Sequence, residues 1–215
     1  MKKNNLETKR KEIFKISIQY IQDNGWNKNL FKLVSNNSEY NYDEIVALFP
    51  NYHIDLLKFY FNQLNEEMSS SFDNLENIPS KTHKKIREII LLRLKIYAKQ
   101  KKLIKKTYFT IILPRYSKIS SSLLFKTVDQ MWFIAGDQST DFNYYSKRVI
   151  LAAIYSSTVL YFLRSNFNYP KTVIFLDKQL IKVSKIPNLK KKINNFSKTF
   201  FKTFGSVFNL SSIKQ

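Results

Sequence analysis

Trp132-Phe133-Ile134-Ala135-Gly136-Asp137-Gln138-Ser139-Thr140-Asp141-Phe142-Asn143-Tyr144-Tyr145-Ser146-Lys147-Arg148 is the stretch that decides the architecture. It opens as the end of an apolar-striped helix, stops at Gly136, passes through a polar turn and starts a new helix. Thr140 or Asp141 can cap that helix. Upstream, the stripe reaches back to residue 121. Downstream, the new helix runs to about Arg164, and Pro170 opens another to about residue 186.

The same helical period extends towards the N-terminus. Residues 13–24 form a helix closed by Asn24-Gly25. A short helix over 28–34 meets the polar turn Ser35-Asn36-Asn37-Ser38. A second short helix, 43–48, stops at Pro50, and a longer one covers 54–68. Residues 69–80 are polar, end in Pro79-Ser80 and read as a linker. A long basic helix over 84–106 follows, continued or joined by a second helix over 105–113 that ends at Pro114. Strand alternation, hairpin signals and internal repeats are not evident. The expected class is all-α, with about nine or ten helices. The expected domains are 1–75, 80–186 and a C-terminal helix over 187–215.

Composition narrows the chemistry. The chain has 215 residues, of which 44% are hydrophobic and 15% aromatic, so a packed core is expected. It has no cysteine and two histidines, His53 and His83. Thiol nucleophiles, thiolate metal sites and a multi-histidine metal centre are therefore not expected. Three glycines, Gly25, Gly136 and Gly205, exclude a glycine-rich phosphate loop. No cofactor fingerprint or placed nucleophile occurs, so the reading is of a non-enzyme without a resident metal. The N-terminal stretch lacks an apolar core and does not read as a secretory signal. The longest charge-free apolar stretch, 149–163, falls short of the roughly 20 residues of a spanning helix.

The net charge is +20. Lysine, asparagine and isoleucine richness with only six arginines is also what an AT-rich genome writes. The charge is nevertheless segregated. Residues 33–80 hold eight acids and one base, whereas residues 81–118 hold thirteen bases and one acid. Even codon drift does not produce such blocks.

The order helix, short helix, turn, short helix, Leu48-Phe49-Pro50 and long helix resembles the DNA-binding unit of tetracycline-repressor-type regulators. The helix that would enter the major groove is about 42–48 and begins with Asp43 and Glu44. No Lys or Arg lies between Leu33 and Leu57, so the counterion release that drives DNA binding is missing there. The fold expected is regulator-like with a degenerate helix-turn-helix, and DNA binding is not expected. The alternatives are a tetracycline-repressor-type DNA-binding regulator and a nucleic-acid binder using the basic 81–118 segment. The stacking residues of the latter would be Tyr97, Tyr108 and Phe109.

Two surfaces attract attention. At spacings of three and four, Asp141, Tyr144, Tyr145 and Arg148 share a helix face, with Asn143 and Lys147 beside them. This is either a structural polar network or a contact surface, since Tyr and Arg are enriched at binding hot spots. At the C-terminus, Leu189, Ile193, Phe196, Phe200, Phe204, Val207 and Phe208 fall on one helical face, with Lys191, Lys198 and Lys202 opposite. Such a helix either packs on the domain or lies in a bilayer interface against anionic lipid.

The Ala-Gly-Asp-Gln-Ser-Thr-Asp-Phe-Asn run of residues 135–143, with Tyr145, Arg148 and Leu151-Ala152-Ala153-Ile154-Tyr155, resembles the signature of the coenzyme Q biosynthesis protein nine family. Asn24-Gly25-Trp26 and Phe175-Leu176-Asp177 fit as well. Tyr144, where that family usually has tryptophan, and the lysine-laden 95–106 region depart from it. The resemblance implies a non-catalytic accessory protein of ubiquinone synthesis with a regulator-like fold. It would hold an isoprenoid quinone precursor or a phospholipid and present the precursor to the di-iron demethoxyubiquinone hydroxylase. Asp141, Asn143, Tyr144, Tyr145, Lys147 and Arg148 would touch the hydroxylase, and Arg148 could instead hold a lipid phosphate. Leu94, Tyr97, Leu124, Val128, Met131, Ile134 and Ile154 are candidate pocket residues, although the pattern alone does not separate pocket from core. The C-terminal helix would dock on an anionic membrane through the face already described. A homodimer is implied. The implied location is the cytoplasmic face of a bacterial inner membrane, or the matrix side in a mitochondrion.

Overall fold

The computed structural model describes residues 2–184, and the side chains of these except 2–4, 141–143 and 184. The basic C-terminal face over 187–215 lies outside the described residues, as do the side chains of Asp141 and Asn143. The described residues form nine α-helices and no strand. They are α1 (Lys2–Asn24), α2 (Leu30–Asn36), α3 (Tyr42–Leu48), α4 (His53–Asp73), α5 (Thr82–Lys99), α6 (Lys101–Ile111), α7 (Ser117–Ile134), α8 (Asp141–Arg164) and α9 (Tyr169–Ser184), with a 3-10 turn at Pro114–Tyr116. None of them is long and apolar enough to cross a membrane.

The chain divides into two compact units. The first comprises residues 2–74 and Lys95–Leu123. The second comprises Leu75–Leu94 and the described residues from Leu124 on.

In the first unit α1, α2 and α3 pack on one another, and α6 packs on α1. Gly25 ends α1 at φ +76°, a value that glycine adopts at no steric cost. The next residue, Trp26, is buried and donates its indole N–H to Thr107 Oγ1 at 3.1 Å. Thus the Asn24-Gly25-Trp26 run stops a helix and ties it to α6. Asn41 caps α3 by accepting from the Glu44 amide at 2.8 Å. The Leu48-Phe49-Pro50 turn is held by Arg10, which donates to Leu48 O at 2.9 Å and lies 5.0 Å over the Phe49 ring.

Two boundaries differ from the sequence reading. Helix α4 continues past residue 68 to Asp73, through part of the expected linker. Met68 and Phe72 are both buried and extend the apolar stripe by one turn, which outweighs the serines between them. The long basic helix is two helices, broken at Gln100 with φ −128°. The Gln100 side chain accepts a bond from Tyr60 Oη at 3.0 Å, so the break is anchored to α4. In addition, α7 begins at Ser117 rather than 121, because Pro114 opens a 3-10 turn that feeds directly into it.

In the second unit α8 packs on α9. The Tyr161 and Phe175 rings stack at 4.4 Å, Leu176 is fully buried, and Asp177 takes Arg87 of α5 through two parallel bonds of 2.5 and 2.9 Å. Each residue of Phe175-Leu176-Asp177 therefore has a packing role.

Phe72→Ala separates the two readings of residues 69–73. A linker phenylalanine would be neutral on truncation, whereas the buried ring should cost about 3–5 kcal/mol, read as a lowered denaturant midpoint.

Candidate functional site

Gly136 sits at φ +80° and closes α7. Its amide donates to Phe133 O at 2.9 Å, and the Asp137 amide donates to Trp132 O at 3.0 Å. This pair of bonds is the Schellman arrangement, which satisfies the last carbonyls of a helix and turns the chain sharply. The result places the Asp137 side chain, only 4% exposed, beneath α8.

Two turns into α8, Lys147 and Arg148 reach back to it. Lys147 Nζ donates to Asp137 Oδ1 at 2.7 Å and also contacts Ser139 Oγ. Ser139 Oγ donates to the same Oδ1 at 2.7 Å. Arg148 Nη1 lies 3.4 Å from Asp137 Oδ2 and donates to Tyr144 O at 3.1 Å. Its Nε donates to Asp129 Oδ1 of α7 at 2.6 Å. Tyr144 Oη donates to that same oxygen at 2.9 Å, and the guanidinium lies 3.3 Å from the centroid of the Tyr144 ring. Two carboxylates thus meet two cations, and the cluster is internally neutral.

Burial by itself pushes the Asp137 carboxyl up, but bonds from Lys147 and Ser139, with Arg148 behind them, hold it below the usual carboxylate range. Burial, and then the bond to Asp129, raises the Tyr144 phenol. A cavity of about 360 Å³ opens beside the cluster, lined by Asp129, Gln130, Phe133, Asp137, Ser139, Tyr144 and Arg148. Phe133 is 74% exposed at its rim. Lys147 Nζ sits 5.2 Å over the Trp132 ring, whose buried indole N–H has no hydrogen-bond partner.

Of the residues expected to form a contact face, Tyr144, Lys147 and Arg148 do come together. Arg148 points inward, however, and is buried. Tyr145 is half-exposed, its ring 5.1 Å from that of Tyr144 in an edge arrangement. Thr140 stands at the N-cap of α8 without a side-chain capping bond. Among the candidate pocket residues, Leu94, Val128, Met131 and Ile154 are buried in the second unit, and Leu124 and Ile134 are half-buried there. Tyr97 belongs to the first unit, where its hydroxyl meets that of Tyr108 at 2.9 Å. None of the seven lines this cavity.

Sequence reasoning missed Asp129 and the central place of Asp137. A signal existed: between residues 121 and 150 the acids are Asp129, Asp137 and Asp141. A buried arginine needs such partners, and Asp129 lies two turns before Asp137.

Residues 118–187 of this chain match the COQ9 family model. The mitochondrial ubiquinone biosynthesis protein COQ9 of Rattus norvegicus is 45% identical over 71 residues, covering 33% of this chain and 23% of that protein. That of Bos taurus is 36% identical over 101 residues, covering 46% and 32%. That of Drosophila melanogaster is 22% identical over 210 residues, covering 93% and 62%. The chain therefore matches less than two thirds of the length of each of these relatives.

Arg148→Met should cost about 1–3 kcal/mol, because Asp129 and the Tyr144 carbonyl lose their donor while Asp137 keeps Lys147 and Ser139. Arg148→Lys should recover only part of this, since an ammonium cannot reproduce the guanidinium's bonds and stacking. Equilibrium denaturation reads both. The pH dependence has a fixed sign. Asp137 titrates lower in the folded chain than its ordinary value of about 3.9, so its stabilisation is complete above about pH 4 and is lost as pH falls through the folded value. In Lys147→Met the acid-induced loss should begin at higher pH, read as denaturant midpoint against pH.

Proposed function

We propose that this chain, which belongs to the COQ9 family, serves ubiquinone biosynthesis as a non-catalytic accessory protein that binds a hydrophobic quinone precursor. It presents that precursor to the di-iron hydroxylase acting on demethoxyubiquinone. The observation that carries this reading is where the family match falls. Residues 118–187 take in α7, the Gly136 turn, the Asp129–Asp137–Arg148 network and α8 with α9.

The network's role in this reading is to hold a surface in shape. With Arg148 and Asp137 occupied by each other, the exposed group beside the cavity that is left to meet a partner is Phe133. An exposed aromatic beside a rigid polar frame is the kind of residue on which interface energy concentrates. The names of the relatives support the pathway and a mitochondrial setting for those proteins. Peripheral attachment to an anionic membrane through residues 187–215, a homodimer, and a bound isoprenoid or phospholipid belong to the same proposal.

The charge pattern argues against DNA as the ligand. Helix α3, the element that a regulator would lay in the major groove, opens with Asp43 and Glu44. Glu44 takes Lys9 at 2.6 Å, so a nearby cation is spent on an internal carboxylate rather than on phosphate.

Organic extraction of the purified protein followed by mass spectrometry should release an isoprenoid quinone precursor or a phospholipid. Protein that carries none, and takes up no added quinone from detergent, would sink the lipid-binding reading. Phe133→Ser should weaken binding to the hydroxylase by tenfold or more, by surface plasmon resonance, with the thermal midpoint unchanged. Equal binding would move the contact surface elsewhere.

A further inference from the structure

The first unit holds a second cavity, of about 720 Å³, built from entirely different residues. Lys28, Lys58, Arg115 and Lys118 all line it, and no acid does. Lys58 is paired with Asp55 at 3.0 Å, and Asp55 also accepts from Asn51. Lys28, Arg115 and Lys118 take part in none of the ion pairs between described residues, and all three are exposed. Three cations without an ion-pair partner among the described residues thus line one cleft, where their charges repel one another, and Arg115 lies 5.0 Å over the Tyr116 ring.

Two helix starts add to the same field. His53 and Ile54 open the 21-residue α4, and Lys118, Ile119 and Ser122 lie in the first turns of the 18-residue α7. Helix N-termini carry partial positive charge and unsatisfied amide donors. His53 is 8% exposed; its Nε2 lies 3.1 Å from Tyr116 Oη, and its buried Nδ1 has no partner. Burial foremost, then the charges of Arg115 and Lys28, push the His53 imidazole down, so it stays neutral beside them. Trp26, Ile54 and Ile119 supply apolar wall.

We propose that this cleft is a binding site for a phosphate or diphosphate group, carried by a small molecule or a lipid head, with its apolar remainder against Trp26 and Ile119. Arg115 and Lys118 hold the anion by charge-assisted bonds, and Lys28 closes the opposite side. The cleft lies wholly within the first unit and shares no lining residue with the cavity beside Arg148, although Lys118, Ile119 and Ser122 fall in the matched segment; failure of hydroxylase binding would therefore leave it untouched.

His53 and His83 are the only histidines, so their ring resonances serve as reporters on the full chain, assigned with His83→Gln. Titrating inorganic pyrophosphate should shift the His53 resonances saturably and leave those of His83 unmoved. Arg115→Gln with Lys118→Gln should weaken the response at least tenfold. A control that removes the same charge from the second unit, Lys178→Gln with Lys182→Gln, should leave it intact. Phosphatidylcholine vesicles doped with phosphatidic acid distinguish the sources. Displacement of pyrophosphate by the vesicles identifies a lipid head group, and its persistence identifies a soluble phosphate compound. A non-saturable His53 shift, an absent one, or equal weakening by both charge pairs would overturn the site, the last by showing diffuse attraction of a +20 chain.

Discussion

A buried carboxylate between helices must be neutralised where it stands, and Asp137 imposes that requirement on α7 and α8. Leaving the charge unpaired would cost several kcal/mol, so Lys147, Ser139 and Arg148 are committed to it. Arg148 then needs a second acceptor, which Asp129 supplies, and a flat surface, which the Tyr144 ring supplies. Gly136 makes the arrangement possible. Its left-handed backbone lets the chain reverse within one residue of the helix end and deliver Asp137 beneath α8. The exposed Phe133 inherits its position from that same turn.

Charge elsewhere in the molecule follows a looser rule. The acidic block of residues 33–80 meets lysines from outside it, Glu44 with Lys9 and Glu67 with Lys99. Such exposed pairs contribute about 0–1 kcal/mol each and do not account for the fold's stability. What remains after this pairing is an excess of cations, and in the first unit three of them share one cleft lined with aromatic and aliphatic side chains.

The motif residues that carry the family likeness turn out to be largely those that hold helices in place. Gly25 and Gly136 end helices, Trp26 is bonded to Thr107, and Asp177 takes Arg87. Arg148 is the instructive case. Its helical spacing with Tyr144 and Tyr145 is compatible with either a solvent-facing contact or an internal strut, because spacing places Cβ atoms on a face without saying what covers that face. In the folded chain its bonds run inward, to Asp129 and Asp137.

Residue order alone determined the all-α class, the stops at Gly25 and Gly136, the start of α8 after Thr140 and the acidic opening of α3 at Asp43 and Glu44. These are local matters of backbone conformation, apolar period and formal charge, and they act within a few residues of one another. The extension of α4 to Phe72, the break at Gln100 and the burial of Arg148 depended on partners distant in sequence: a core that accepts Phe72, the Tyr60 hydroxyl and the Asp129 carboxylate. The interleaving of the two units through residues 75–94 and 95–123, and the gathering of Lys28, His53, Arg115 and Lys118 about one cavity, are likewise tertiary. Sequence period fixes which side of a helix is apolar, but only packing fixes what that side meets, and burial and pairing energies arise from the meeting.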